Sequence, residues 1–330
     1  MPPTGLEPSV AAFGSSYAIP EDEDEFNEIP RTPFPTKKPV PTDGKITITD
    51  GNFVWDLAGV ASNGTFVSGA HWVVPIDDAV TVIRISPPAT TTTFPETRHS
   101  NGSMLDPGVH QMSPNANYPG SVQGYDSSMY GTYKARNPDG SSADYSDALN
   151  VGNKLPLEIT PDSSLVSTAS LAAAGARPQV RDAAVLTVLS TVPPANSFRP
   201  FYGDPVNGTK EIFSSSGIDY AALRILTDVG GSPSFAAIAS KFRKCRLSHT
   251  PQFLSRWQHP VATMQDYGRD LCAQAGVAAI MCLLDVDQAT KQPLLEGFLQ
   301  YGIDLYGAAK VTRDLVKSQG ATDQQARLYR

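Results

Sequence analysis

A change of period along the chain constrains its fold more than any other feature. From Lys45 to Ile85 apolar residues recur at every second position, whereas from Asp219 onward they recur at every third or fourth. The first spacing places alternate side chains on opposite faces of a strand, and the second lines one side of a helix. "KITITD", "NFVWDLAGV", "GTFVSGAHWVV" and "AVTVIRI" therefore read as four strands, with a turn at Asp50-Gly51, and a meander is the simplest arrangement. In the last of them Val80, Val82 and Arg84 take one face and Ile83 and Ile85 the other.

Strands return at "PLEITP", "SSLVSTAS" and "AAVLTVLSTVPPA", the last closed by Pro193-Pro194. An antiparallel β-sandwich over residues 45–192 fits these intervals. Between Pro87 and Leu155 the chain is rich in Ser, Thr, Asn, Gly, Pro and Tyr and has no aliphatic period, so an irregular region is expected there. Residues 1–44 carry "EDEDE" (Glu21 to Glu25), many prolines and few aliphatics, which predicts a disordered or extended leader.

Residues 193–217 read as a linker and 218–330 as a helical domain. "DYAALRILTDV", "SFAAIASKFRKC", "DYGRDLCAQAGVAAIMCLLD" and "PLLEGFLQYGIDLYGAAKVTRDLVKSQG" all have helical spacing, with Tyr267, Leu271, Ala275, Ala278 and Cys282 along one stripe. The last two predict a helical hairpin with "DVDQATKQP" as its loop and Asp285 or Asp287 near the start of the second helix. The fold class expected is α+β and multidomain.

Composition narrows the function classes. Lys and Arg number 26 against 33 Asp and Glu, a formal charge of -7, which disfavours generic nucleic-acid binding. No segment approaches the roughly 20 apolar residues that cross a bilayer, and the N-terminus has no signal-peptide pattern. Of the three cysteines, Cys272 and Cys282 stand about 15 Å apart on one predicted helix. That is beyond disulfide reach of about 7 Å, so reduced, structural thiols are expected. No Cys-x-x-Cys or His-x-x-x-His spacing suggests a metal site, and His99 and His110, in one loop with Asp106 between them, would need to converge with a further ligand such as His71. No phosphate loop, dinucleotide fingerprint or Gly-x-Ser-x-Gly elbow occurs, so no cofactor is expected.

Two groups of residues suggest a ligand. In "AHWVV" His71 and Trp72 must lie on opposite faces of a strand. Trp72 reads first as core and second as an aromatic platform for a sugar ring, with Trp55 able to supply a second ring. "SKFRKCRLSHTPQFLSRWQHP" gathers Arg243, Arg246, Arg256 and Trp257 in an acidic chain. Arginine forks match carboxylates, so an anionic polysaccharide suits this segment, while a solvated helix end is the plainer reading. For catalysis by elimination His249, His259, Tyr267 and Arg256 are candidates, and for hydrolysis Asp266 together with Asp270, Asp285 and Asp304.

The order of short motifs resembles that of a group of large, exported bacterial proteins. In it "G-x-F-x-x-G-x-x-W-V-V" (Gly64, Phe66, Gly69, Trp72, Val73, Val74) precedes "NGSM" (Asn101 to Met104) and "QGYD" (Gln123 to Asp126). "SLVSTAS", "AAVLTVL", "FRPFYGD" and "QYGIDLYG" follow. The resemblance implies a β-rich module followed by an (α/α) helical array, a layout similar to polysaccharide lyases, and an extracellular or cell-surface location. Nothing after Gly307 continues such an array, which puts any catalytic residues of later helices in doubt. The expectation is an exported protein that binds, and if enzymatic cleaves as a lyase or glycoside hydrolase, an acidic polysaccharide. The alternative is a non-enzymatic structural or assembly protein, such as a surface-layer or virion component, that forms homo-oligomers.

Overall fold

In the computed structural model the alternation of "ITITD" and "FVWDLA" is realised as two antiparallel strands, β1 (Ile46–Asp50) and β2 (Phe53–Ala58), joined by a two-residue turn at Gly51-Asn52. The structure describes residues 40–93, 97–107, 124–126, 145–171, 179–203, 209–243, 245 and 268–318. The predicted leader at 1–44 lies almost wholly outside them.

After β2 the chain leaves its sheet. Gly59 sits at φ +74°, a left-handed conformation that a side chain would strain, and the backbone there turns into β3 (Val60–Thr65) of a second sheet. β4 (His71–Pro75) pairs with β3, and β5 (Val80–Ser86) then returns to pair with β2. The first four predicted strands therefore do not form a meander. Their order is split between a four-stranded sheet, β1-β2-β5-β9, and a five-stranded sheet, β3-β4-β11-β10-β8.

β6 (Thr90–Thr93) and β7 (Thr97–Ser100) make a hairpin, and β8 (Ser103–Leu105) and β9 (Leu157–Ile159) are short. The stretch expected to be irregular thus contributes strands too short to show a period. β10 (Ser163–Leu171) and β11 (Gln179–Val188) form the long antiparallel pair. β4 runs parallel to β11, so the five-stranded sheet is mixed rather than purely antiparallel.

Residues of both sheets meet in one apolar cluster that includes Trp55, Leu57, Val73, Val82, Ile85, Ile159, Leu165, Leu186 and Val188. A bulge between Asp56 and Leu57 changes the expected facing of β5, because Asp56 pairs with Arg84 and Leu57 with Val82, leaving Ile83 as the extra residue. Ile83 and Arg84 are both exposed, and Ile85 joins Val80 and Val82 inside. On the other face of the five-stranded sheet Met104, Val166, Ala183 and Val185 pack with Tyr125 and Tyr202. Burial on both faces explains why "AAVLTVL" is a continuous apolar run rather than an alternating one.

The last third is helical from α1 (Phe235–Arg243) onward. "DYAALRILTDV" is not a helix: Asp219 Oδ1 accepts from the amides of Ala221 and Ala222, forming a local turn, and Ile225 and Leu226 donate their amides to Leu283 O. α2 (Gly268–Leu283) and α3 (Gln288–Ser318) form the predicted hairpin, with a shorter loop than expected. Asp287 caps α3 by accepting from Thr290 N at 2.9 Å and Thr290 Oγ1 at 2.8 Å, so the helix begins before Pro293 and includes it. Ala278, Met281 and Cys282 of α2 are buried with Phe242, Leu294 and Leu305 in a separate cluster.

Candidate functional site

The strands and helices meet around Arg199. It is 2% exposed, and its Nη2 donates to Asp304 Oδ2 at 2.5 Å while Nη1 donates to Pro200 O at 2.8 Å. Its guanidinium also lies 5.7 Å from the ring centre of Tyr202. Gln300 and Asp304, four residues apart and so on one face of α3, both address Arg199. Two segments of the motif order, "FRPFYGD" and "QYGIDLYG", therefore meet in space. Burial pushes the Asp304 carboxyl up to about 6, with Arg199 opposing the shift.

Beside this junction lies a cavity of about 370 Å³. It is lined by Asp182 to Val185 of β11 together with Asp50, Gly51 and Phe53 of the first hairpin. Ser68, Gly69 and Ala70 form a wall, and Arg199, Gln300, Ser240, Arg243 and Cys245 complete it. β1 ends at Asp50, where the chain turns at Gly51 with φ +56°, and Asp50 and Asp182 both line the cavity. Burial raises the Asp50 pKa, with Asp182 adding to the effect and His71, Arg243 and Arg199 opposing it. Desolvation likewise raises the Cys245 thiol well above its ordinary range despite Arg199, which favours the neutral thiol.

The site residues expected from sequence divide sharply. Arg243 is exposed at the last position of α1 and lines the cavity. As a cation in the last helical turn it also complements the helix dipole, in keeping with the plainer reading. Arg246, His249, Arg256, Trp257, His259, Asp266 and Tyr267 lie outside the described residues. Asp285 is taken up in an exposed ion pair with Arg224, and Asp304 in the buried one with Arg199.

Trp55 is not a platform. It is 0% exposed, stacks on Phe53 and donates Nε1–H to Ser167 Oγ at 3.2 Å, so no ring face is open to a sugar. Trp72 is not core either: Val73 and Pro75 take the buried face of β4, and Trp72 lies half-buried on the other. A Cβ built on Gly64, its cross-strand partner, would stand 2.4 Å from Trp72 Cζ2, so the ring packs directly on that glycine. Neither tryptophan lines the cavity.

The loop histidine has other work. His99 stacks on Tyr145 at 4.1 Å, and Asp106 accepts from Lys210 Nζ at 2.7 Å and from Ser164 N at 2.8 Å. Among the described residues no three His, Cys, Asp or Glu side chains gather as a metal set. "NGSM" and "QGYD" are internal struts: Asn101 Oδ1 accepts from Ser170 N at 2.7 Å, and buried Asp126 accepts from Ser170 Oγ at 2.6 Å.

Asp50 and Asp182 were missed by sequence reasoning. Asp50 was read only as a turn residue, and Asp182 precedes an apolar run with no motif around it. They lie on strands of different sheets, and the turn after Asp50 is tied to Asp182 by the Asn52 side chain. Comparison of the chain with protein-family models, curated proteins and solved structures finds no match. No described helix is long and apolar enough to cross a membrane.

Proposed function

We propose that this chain binds an acidic polysaccharide, and that the cavity between β1, β11 and α1 is where it does so. The two sheets are read as a β-sandwich and the helices as the start of an (α/α) array. The order of short motifs supports an exported protein acting at or beyond the cell surface. The observation that carries the reading is the cavity's mixed lining. Asp50, Asp182, Ser240 and Gln300 offer the acceptors and donors that sugar hydroxyls need, and Arg243 at its exposed edge offers a fork for a uronate carboxylate. Thermal unfolding with neutral and anionic polysaccharides tests it. A rise in Tm with anionic glycans alone, lost in Arg243→Ala, is the expected result. No rise with any of them overturns the reading.

One observation favours assembly as a second reading. Ile225, Val229, Val277 and Ile280 are 64%, 93%, 36% and 57% exposed, an amount of uncovered aliphatic surface that suits contact with another copy. Light scattering decides it: a defined oligomer supports assembly, and a monomer at high concentration rules it out.

A further inference from the structure

Asp50 and Asp182 face one cavity from different strands, and simple binding gives them no distinct roles. Asp50 is half-buried and has no side-chain hydrogen bond or ion pair to a described residue. Asp182 is anchored at both oxygens: Oδ2 accepts from Asn52 Nδ2 at 3.3 Å and Oδ1 from Ala183 N at 3.0 Å. Because Asn52 is two residues beyond Asp50, the same tight turn that positions one carboxyl also holds the other. Ser68, in the cavity wall, has a hydroxyl that is shielded from solvent and has no hydrogen-bond partner among the described residues.

Glycosidic bonds are hydrolysed by pairs of carboxyls whose unlike surroundings give one the role of acid and the other that of base, and here one is desolvated and one anchored. We infer that the cavity is a hydrolytic site in which Asp50 is the general acid and Asp182 the general base for cleaving a glycosidic bond of an acidic polysaccharide. This inference rests on the binding function proposed above. Asp50 gives its proton to the glycosidic oxygen as the bond from that oxygen to the anomeric carbon breaks, the electron pair leaving on the oxygen. Asp182 takes a proton from a water whose oxygen forms the new bond to the anomeric carbon. One water is consumed, a hemiacetal and an alcohol leave, and solvent returns the proton from Asp182 to Asp50. No oxidant or cofactor enters. Desolvation shifts Asp50 toward its protonated form, the form a general acid needs, with His71, Arg243 and Arg199 opposing.

The test incubates the full chain with polygalacturonate, alginate, hyaluronan and chondroitin sulfate, counting new reducing ends and recording the thermal shift with each. Cleavage of at least one substrate is expected. Asp50→Asn and Asp182→Asn, which preserve shape, should each slow it about 10²–10⁴-fold, with the loss in kcat rather than in KM. A thermal shift without new reducing ends overturns hydrolysis and leaves the binding reading standing; neither shift nor reducing ends overturns both. Unsaturated, ultraviolet-absorbing ends would show elimination and overturn the hydrolytic assignment, as would cleavage that survives both substitutions.

Discussion

Gln300 grips Arg199 by its backbone: Gln300 Oε1 accepts from Arg199 N at 2.9 Å, and Gln300 Nε2 donates to Arg199 O at 2.9 Å. This two-point contact mimics a strand pairing with a single side chain, and it links α3 to the segment that follows the sheets. Both backbone groups are buried, so removing the amide strands them. Gln300→Ala is expected to cost about 2–4 kcal/mol, measured by urea unfolding. A change below 0.5 kcal/mol would show that the helices do not depend on this contact.

The Asp304 carboxyl gives stability a pH dependence of definite sign. Its folded pKa, about 6, lies above the unfolded value. The folded state therefore holds the extra proton between about pH 4 and 6, and its contribution, complete at the acid end, is lost as pH rises through 6. Wild-type stability should fall by up to about 3 kcal/mol across that interval relative to Asp304→Asn. Parallel curves for the two proteins would refute the assignment.

Trp55 should emit as a shielded indole and stay unchanged by any ligand, because it is wholly enclosed and hydrogen-bonded to Ser167. Trp55→Ala removes the largest side chain of the shared core and is expected to cost about 3–5 kcal/mol. A ligand-induced change in its emission, seen in a variant keeping only that tryptophan, would mean that the core rearranges on binding.

Gly64→Ala places a methyl group where the Trp72 ring now lies. The ring must swing outward, so its emission should shift to the red and stability should drop by about 1–3 kcal/mol. Both readouts come from one denaturation series, and an unshifted emission would contradict the packing of that ring on the glycine.

Arg243→Ala separates binding from folding. The side chain is exposed, so unfolding should change by less than about 0.5 kcal/mol. Affinity for a carboxylated glycan should fall by about 1.5–3 kcal/mol, by calorimetric titration. Equal affinity in both proteins would remove Arg243 from the site.

The sequence made the strands of residues 46–86 and the helical hairpin legible because each has a sustained period. It did not reveal that β2 leads into a different sheet, since a single glycine at positive φ decides that and leaves the alternation on either side intact. The helical spacing of "DYAALRILTDV" was overridden by the Asp219 turn and by pairing of Ile225 and Leu226 with the end of α2. At the candidate site only Arg243 was visible in advance, because a basic cluster announces itself locally. Asp50 and Asp182 carry no local signal, and they come from strands of different sheets that are far apart in the sequence.

Pairing between distant strands also sets an order for making the molecule. On the ribosome β4 emerges long before β11, its parallel neighbour, and β5 before β9, so both sheets wait with an open edge while the intervening residues are translated. His71 cannot meet Leu186, nor Val80 meet Ile159, until nascent chain of that length has cleared the exit tunnel. The early hairpins must therefore stay soluble as half-built sheets, and a translational pause before β9 would prolong the interval in which they can pair with the wrong chain.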